Sequence, residues 1–252
     1  MLKLVSHCHT YHSFDSSMSV ESIIEEAHES GVNCIIINDH DVCSVSEEEL
    51  TLFSDNGIVI LKAIEFTTKE GVHVIGIDNS IRSLEKSAYF YPLIELLDNL
   101  RALGAKIVFP HPYHATGVYG NRNVDSDKFC QAIDYAHGFE VDNYRYGPTP
   151  KFLVEKIVKQ NSSAIKFIGS DAHKKSEVGA LINVFETIEP SDCVTNYSAI
   201  FSNQPKHLVL KKRSSFYFKF KKFQKSKFYQ SLIGLIDYKQ RQKIKKLFKF
   251  GQ

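Results

Sequence analysis

The sequence predicts an α/β fold, with a parallel sheet or barrel whose strands are separated by helices, followed by a basic extension. Three observations carry this expectation. Apolar runs of strand length recur along the first 205 residues, with helix-patterned stretches between them. A chain of 252 residues with 43% hydrophobic content can bury one sizeable core. No Gly/Ser or Pro linker divides the first 200 residues, whereas the composition shifts abruptly near Pro205. The expected organisation is therefore one catalytic domain at 1–205 and an extension at 206–252.

The elements follow in order. LKLVSH predicts a short strand. SVESIIEEAHESG predicts a helix in which Ser19 caps the N-terminus, Val20, Ile23, Ile24 and Ala27 share a face, and Gly31 ends the last turn. CIIIND is a continuous apolar run, as a strand buried on both faces requires. A Glu-rich helix is expected over 44–54, and a strand in GIVILKAIEF. VHVIGID predicts the next strand and 84–103 a long helix ended by Gly104. KIVFPH, HGFEVDN and IKFIGSD then read as further strands with helices between them.

The extension differs in kind. It holds 15 of the 31 Lys and Arg but a single acid, Asp237, for a net charge of +14, which leaves −12 on the first 205 residues. Its lysines interleave with Phe216, Tyr217, Phe218, Phe220, Phe223, Phe228 and Tyr229, and 227–248 can be drawn as a helix with an apolar side. Three partners fit: single-stranded nucleic acid, with rings stacking on bases; an anionic membrane surface; or the acidic domain of its own or a second subunit. All three remain open at this level. The oligomeric state is open too. The five cysteines are odd in number and form no C-x-x-C pair, and neither a secretory leader nor an apolar run of membrane-spanning length is evident, so a cytoplasmic protein is expected.

Chemistry gathers at the ends of the apolar runs. His7 and His9 lie two apart at the end of the first strand, so their side chains point the same way and Cys8 points oppositely. Asp39 and His40 follow in NDHD, Glu65 in AIEF, His111 in FPHP, and Asp171 and His173 in GSDAH. In a barrel the carboxyl ends of the strands meet at one face, so these groups would converge on one site. Imidazole and carboxylate donors without paired cysteines suit a catalytic zinc, manganese or iron site better than a structural thiolate one.

The order H-x-H, D-H, a strand-end glutamate, H-V-I-G, H-P and D-A-H resembles the polymerase-and-histidinol-phosphatase (PHP) superfamily over roughly residues 3 to 185. The resemblance implies a distorted seven-stranded (β/α)7 TIM-like barrel holding up to three divalent ions at its carboxyl-end face. By motif the ligands would be His7, His9, Asp15, His40, Glu65, His73, His111, Asp171 and His173, with Glu65 bridging two ions. The catalytic assignments are Glu65, Asp171 and His173. His12 competes with Asp15, and His73 also reads as a partly buried histidine on a strand face. Asp39 is expected to hydrogen-bond a ligand histidine, and Glu140 and Asn143 to have a supporting role.

Three carboxylates against three divalent ions would leave an excess positive charge suited to phosphate, and metal-activated hydroxide would serve as nucleophile. No G-x-S-x-G elbow or P-loop offers another route. Substrate positioning falls to loop residues His12, His114, Arg122 and Arg145, with Lys174 behind them. The expected activity is hydrolysis of a phosphate ester of a small metabolite or nucleotide. The alternative is a nucleic-acid-processing nuclease or 3′-phosphatase gripping its substrate with the basic tail. A non-enzymatic accessory domain is a third reading, disfavoured by the full ligand set.

Overall fold

The first three strands take the expected βαβαβ path in the computed structural model, which describes residues 1–78, 81–84, 91–195 and 197–211. Strands β1 (Leu2–Cys8), β2 (Cys34–Ile37) and β3 (Val59–Thr67) run parallel, joined by helices α1 (Val20–Ser30) and α2 (Glu47–Asp55). Ser19 caps α1 and Gly31 ends it in the left-handed region. The second helix starts later than expected because Ser46 and Glu49 close a capping box there.

The fourth strand breaks the pattern. β4 (His73–Ile77) lies antiparallel to both β3 and β5 (Lys106–Phe109). Residues 68–72 are too few for a crossover helix, so the chain turns straight back as a hairpin. Parallel pairing resumes from β5 to β6 (Gly138–Asn143) and from β6 to β8 (Ile165–Gly169), with α4 (Ser126–Ile133) and α5 (Lys151–Gln160) between them. The two-residue β7 (Gly147–Pro148) folds back on β6.

The helix expected over 84–103 is shorter where it is described. Helix α3 spans Leu93–Ala102, because Pro92 sits at its cap with an extended backbone. Residues 81–84 form a single 3-10 turn, and 85–90 lie outside the described residues.

The sheet curls back on itself. Beyond β8, Ala172 bridges to Cys8 in parallel, and the Ser6 hydroxyl donates to the Ile168 carbonyl at 3.0 Å. Strands β1 to β6 and β8 thereby form a distorted barrel wall of seven strands. β9 (Leu181–Phe185) adds antiparallel to β1, and β10 (Lys206–Val209) to β9. The start of the basic segment thus belongs to the sheet, and Met1–Lys211 form one compact unit. The basic and aromatic residues from 212 onward, including the helix drawn at 227–248, lie outside the described residues.

Alternation along the strands sorts the core. Leu2, Leu4, Ile36, Leu61, Ala63, Ile75, Ile77 and Phe167 fill the barrel interior. Val5, Ile35 and Ile37 face outward under α1 and α2, and Phe66, Val74 and Phe109 face α3 to α5. Each large apolar side chain fully buried this way contributes about 1.5–3 kcal/mol. The five cysteines are free. Among the described residues no helix is long and apolar enough to cross a membrane.

Candidate metal centre

A break in register aims the first two histidines. Strict alternation from Leu2 and Leu4 would put Ser6 and Cys8 inside the barrel and turn His7 outward. The pairing of β1 with β2 shifts between Val5 and Cys8, so Cys8 joins Val5 in the outer cluster and His7 and His9 turn inward, fully buried. Glu65 needs no such device, since it continues the inward series Leu61, Ala63 on β3. His111 and Asp171 follow the ends of β5 and β8 with φ of 31° and 49°, in the left-handed region that non-glycine residues rarely occupy.

These side chains meet around Glu65. Its Oε2 lies 3.1 Å from His7 Nε2 and 3.2 Å from His9 Nε2. Its Oε1 lies 2.9 Å from His73 Nδ1 and 3.3 Å from His111 Nε2. One carboxylate therefore spans two groups of histidines. Asp171 Oδ1 is 3.6 Å from Nε2 of both His7 and His9. Asp15 Oδ2 approaches His173 Nε2 at 2.8 Å and His40 Nε2 at 3.6 Å. Three sets of donors are close enough to hold one ion each: His9, Asp15, His40 and His173; His7, His9 and Asp171; and His40, Glu65 and His73.

The electrostatics favour cations. Burial pulls the pKa of His7 down, but Glu65, Asp171 and Glu140 outweigh it and hold it well above the ordinary value. Burial opposes the same upward shift at His9, His40 and His73, which also face carboxylates. Burial pushes Glu65 and Asp171 up, yet the surrounding histidines hold both well below the usual carboxylate range. Two ring nitrogens, His40 Nδ1 and His111 Nδ1, are buried without a hydrogen-bond partner. The Nε2 atoms of His7 and His9 face each other at 3.0 Å. A mixed nitrogen and oxygen donor set of this kind fits a divalent transition metal.

Supporting groups fix the rings. Glu140, buried at the barrel's centre, accepts from His7 Nδ1 at 2.8 Å, the His111 backbone N–H at 2.7 Å and the Asn143 amide at 2.8 Å. Gly169 makes room for it, since a Cβ there would stand 1.8 Å from Glu140 Oε1. Asp39 serves a different neighbour than expected. Its carboxylate accepts from the Thr10 N–H at 2.6 Å and the Thr10 hydroxyl at 2.7 Å, and from Ser44, so it fastens the loop after β1 instead of a ligand ring.

Two supports escaped the sequence. The Ser13 hydroxyl meets His9 Nδ1 at 3.1 Å and accepts from the His40 N–H at 3.0 Å, and Glu177 accepts from the His173 N–H at 2.9 Å. Serine and glutamate in loops carry no pattern, so only the fold reveals them.

The expected substrate residues divide. His114 lies near the cluster, its ring 5.7 Å from His111 and stacked 3.9 Å from Tyr146. Arg145 precedes Tyr146 on the turn between β6 and β7, half-buried, its N–H held by Asn143 Oδ1. His12 turns to Glu49 of α2 at 3.4 Å. Arg122 and Lys174 are exposed, and among the described contacts none ties Arg122 to the cluster.

The family model for the PHP domain matches residues 6–244, further than the motifs alone reach. A search of curated proteins found no significant match. Among solved structures, PsfC from Pseudomonas syringae is similar with a TM-score of 0.57 and 17% identity, over 92% of this chain and 100% of its own. A two-domain protein from Bacteroides vulgatus containing a predicted PHP-like metal-dependent phosphoesterase gives 0.54 and 17%, over 86% of this chain and 61% of its own. This chain thus spans about three fifths of that protein's length. A proposed metal-dependent phosphoesterase from Bifidobacterium adolescentis gives 0.54 and 17%, over 68% of this chain and 88% of its own. At such identities the likeness is one of fold. With a family model matched over nearly its whole length, the chain belongs to the PHP domain family.

Proposed function

We propose that this protein hydrolyses a phosphate ester of a small metabolite or nucleotide, with up to three zinc, manganese or iron ions as cofactors. The observation that carries this reading is the position of Glu65 between two histidine groups, His7 with His9 and His73 with His111. His7, His9, Asp15, His40, Glu65, His73, His111, Asp171 and His173 would hold the ions. Bound there, divalent ions supply activated water near neutral pH and neutralise charge on a phosphate ester.

The chain's own residues do the rest. Glu140 holds the His7 ring through its Nδ1 and the His111 backbone through its N–H, by two short hydrogen bonds. Depth excludes bulk water, since His7, His9 and Glu65 are almost fully buried. His114, Arg145 and His12 would orient the ester. A test is turnover of a generic aryl phosphate by metal-loaded protein, before and after chelation and in an Asp171→Asn variant. Loss of turnover in both supports the reading; turnover indifferent to chelator and variant contradicts it.

A second reading is favoured by one feature of the sequence, the +14 charge of 206–252 interleaved with aromatic residues. In it the same centre processes nucleic acid and the tail supplies the grip, though an anionic membrane would attract such a tail equally. Oligonucleotide affinity should then fall steeply between low and physiological salt, and should drop when 212–252 are removed. Affinity unchanged by the truncation would remove this reading.

A further inference from the structure

The mouth of the cluster carries an apolar side chain that no core needs. Phe14 is 86% exposed, the most exposed large apolar residue among those described. Scattered exposed rings are ordinary on protein surfaces. The setting of this one is not. Its ring lies 5.1 Å from that of His40, stacked at 26°, beside a residue of the metal-holding groups. Both of its chain neighbours are fastened to the same centre: Ser13 to His9 and the His40 backbone, and Asp15 to His173. The backbone that carries the phenyl ring is thereby tied to the centre on both sides. One face is turned to His40, and the rest stands in water at the entrance.

A wet, planar surface next to a polar centre is suited to stacking a second ring, because aromatic pairs prefer offset stacks at centroid separations of about 4.5–7 Å. Tyr11 on the same loop is half exposed but turns to α2, its hydroxyl on Glu49 at 2.8 Å, which leaves Phe14 as the loop's ring beside His40. We infer that Phe14 is a specificity-determining residue that stacks a planar ring in the alcohol portion of the ester, so the substrates are phosphate esters bearing an aromatic or heteroaromatic group. This rests on the phosphoesterase reading above, and it narrows the substrate class of that same centre.

The test compares two phosphonates that cannot be hydrolysed and differ only in the ring, benzylphosphonate and cyclohexylmethylphosphonate. Binding to the manganese-loaded full chain is measured by calorimetry for wild type, Phe14→Ala and Phe14→Trp, with metal content determined for each. The wild type should bind the benzyl compound about 5–10-fold more tightly, the size expected of an aromatic pair. Phe14→Ala should bring the ratio within twofold of unity, and Phe14→Trp should keep it. The matching benzyl and cyclohexylmethyl phosphates should show the preference in KM more than in kcat. No preference in the wild type, or an equal loss for both compounds in Phe14→Ala, overturns the inference while leaving the phosphoesterase reading intact. Failure of both compounds to bind the wild type overturns both. Loss of bound metal in both variants also overturns the inference, since Phe14 would then be holding the loop rather than a ligand.

Discussion

The two ends of the barrel interior are built from the same strands and do opposite things. Toward the amino end of β3 Leu61 and Ala63 point inward among Leu2, Leu4, Ile36 and Ile77. Two residues further, still on the inward face, Glu65 meets four histidines. Phe167 on β8 belongs to the apolar layer, and Asp171, two residues beyond the strand's end, to the groups that could hold a metal. Position along a strand, more than strand identity, decides whether an inward residue stabilises the fold or serves chemistry. The carboxyl end also holds strain, in the positive φ of Asp41, His111 and Asp171, and it buries ring nitrogens without partners.

Paired substitutions on β8 and just beyond it would break this comparison most sharply. Phe167→Ala removes a fully buried ring and should cost about 3–5 kcal/mol of stability by denaturant unfolding, while the protein that remains folded still binds metal. Asp171→Asn should lower phosphate ester turnover by more than about 100-fold with metal bound poorly, at little cost to the stability of the metal-free chain. If both variants lost stability alike, the division between the two ends would be wrong. Gly169→Ala lies at the junction. Its Cβ collides with Glu140, so it should displace the carboxylate that orients His7 and His111 and weaken metal affinity by roughly 10–100-fold, measured by competition with a chelator.

Much of the centre was legible in the sequence because its residues punctuate apolar runs. His40, Glu65, His111, Asp171 and His173 each stand where a strand ends, and the structure gathers their side chains. The resemblance added Asp15 and His73, whose own surroundings in the sequence are ambiguous. The register shift that turns His7 inward was not legible, since LKLVSHC reads as an unbroken strand and the shift depends on what β1 pairs with. The antiparallel β4 was signalled by spacing alone, since residues 68–72 leave no room for a crossover helix, a cue that composition does not carry. Pro92 did announce the true start of α3, but the apolar spacing upstream of it obscured that signal. Asp39 illustrates a further limit. A carboxylate beside a ligand histidine invites pairing with the ring, whereas the folded loop brings Thr10 and Ser44 to it instead.

A smaller effect belongs to the amino end. His137 has its pKa pulled down to about 4 by burial and by Lys106, and its Nδ1 accepts from the Ile107 N–H at 3.2 Å. The folded state thus disfavours the protonated form. The stability that His137 contributes is fully present above the ordinary pKa near 6.5 and is lost as pH falls through that value toward 4. Half-exposure screens the effect to about 1 kcal/mol. Unfolding of wild type and His137→Gln, compared at pH 7.5 and 4.5, should show the difference between them shrinking or reversing at the lower pH. A difference independent of pH would contradict the assignment.

The central claim is that Glu65 joins neighbouring metal positions in one centre. Elemental analysis of purified wild type and Glu65→Ala, each reloaded with manganese and freed of excess ion, tests it most directly. The account predicts more than one ion per chain in the wild type, up to one for each of the three donor groups, and loss of at least one in the variant. Less than one ion per chain in the wild type, or a content unchanged by removing Glu65, would contradict it.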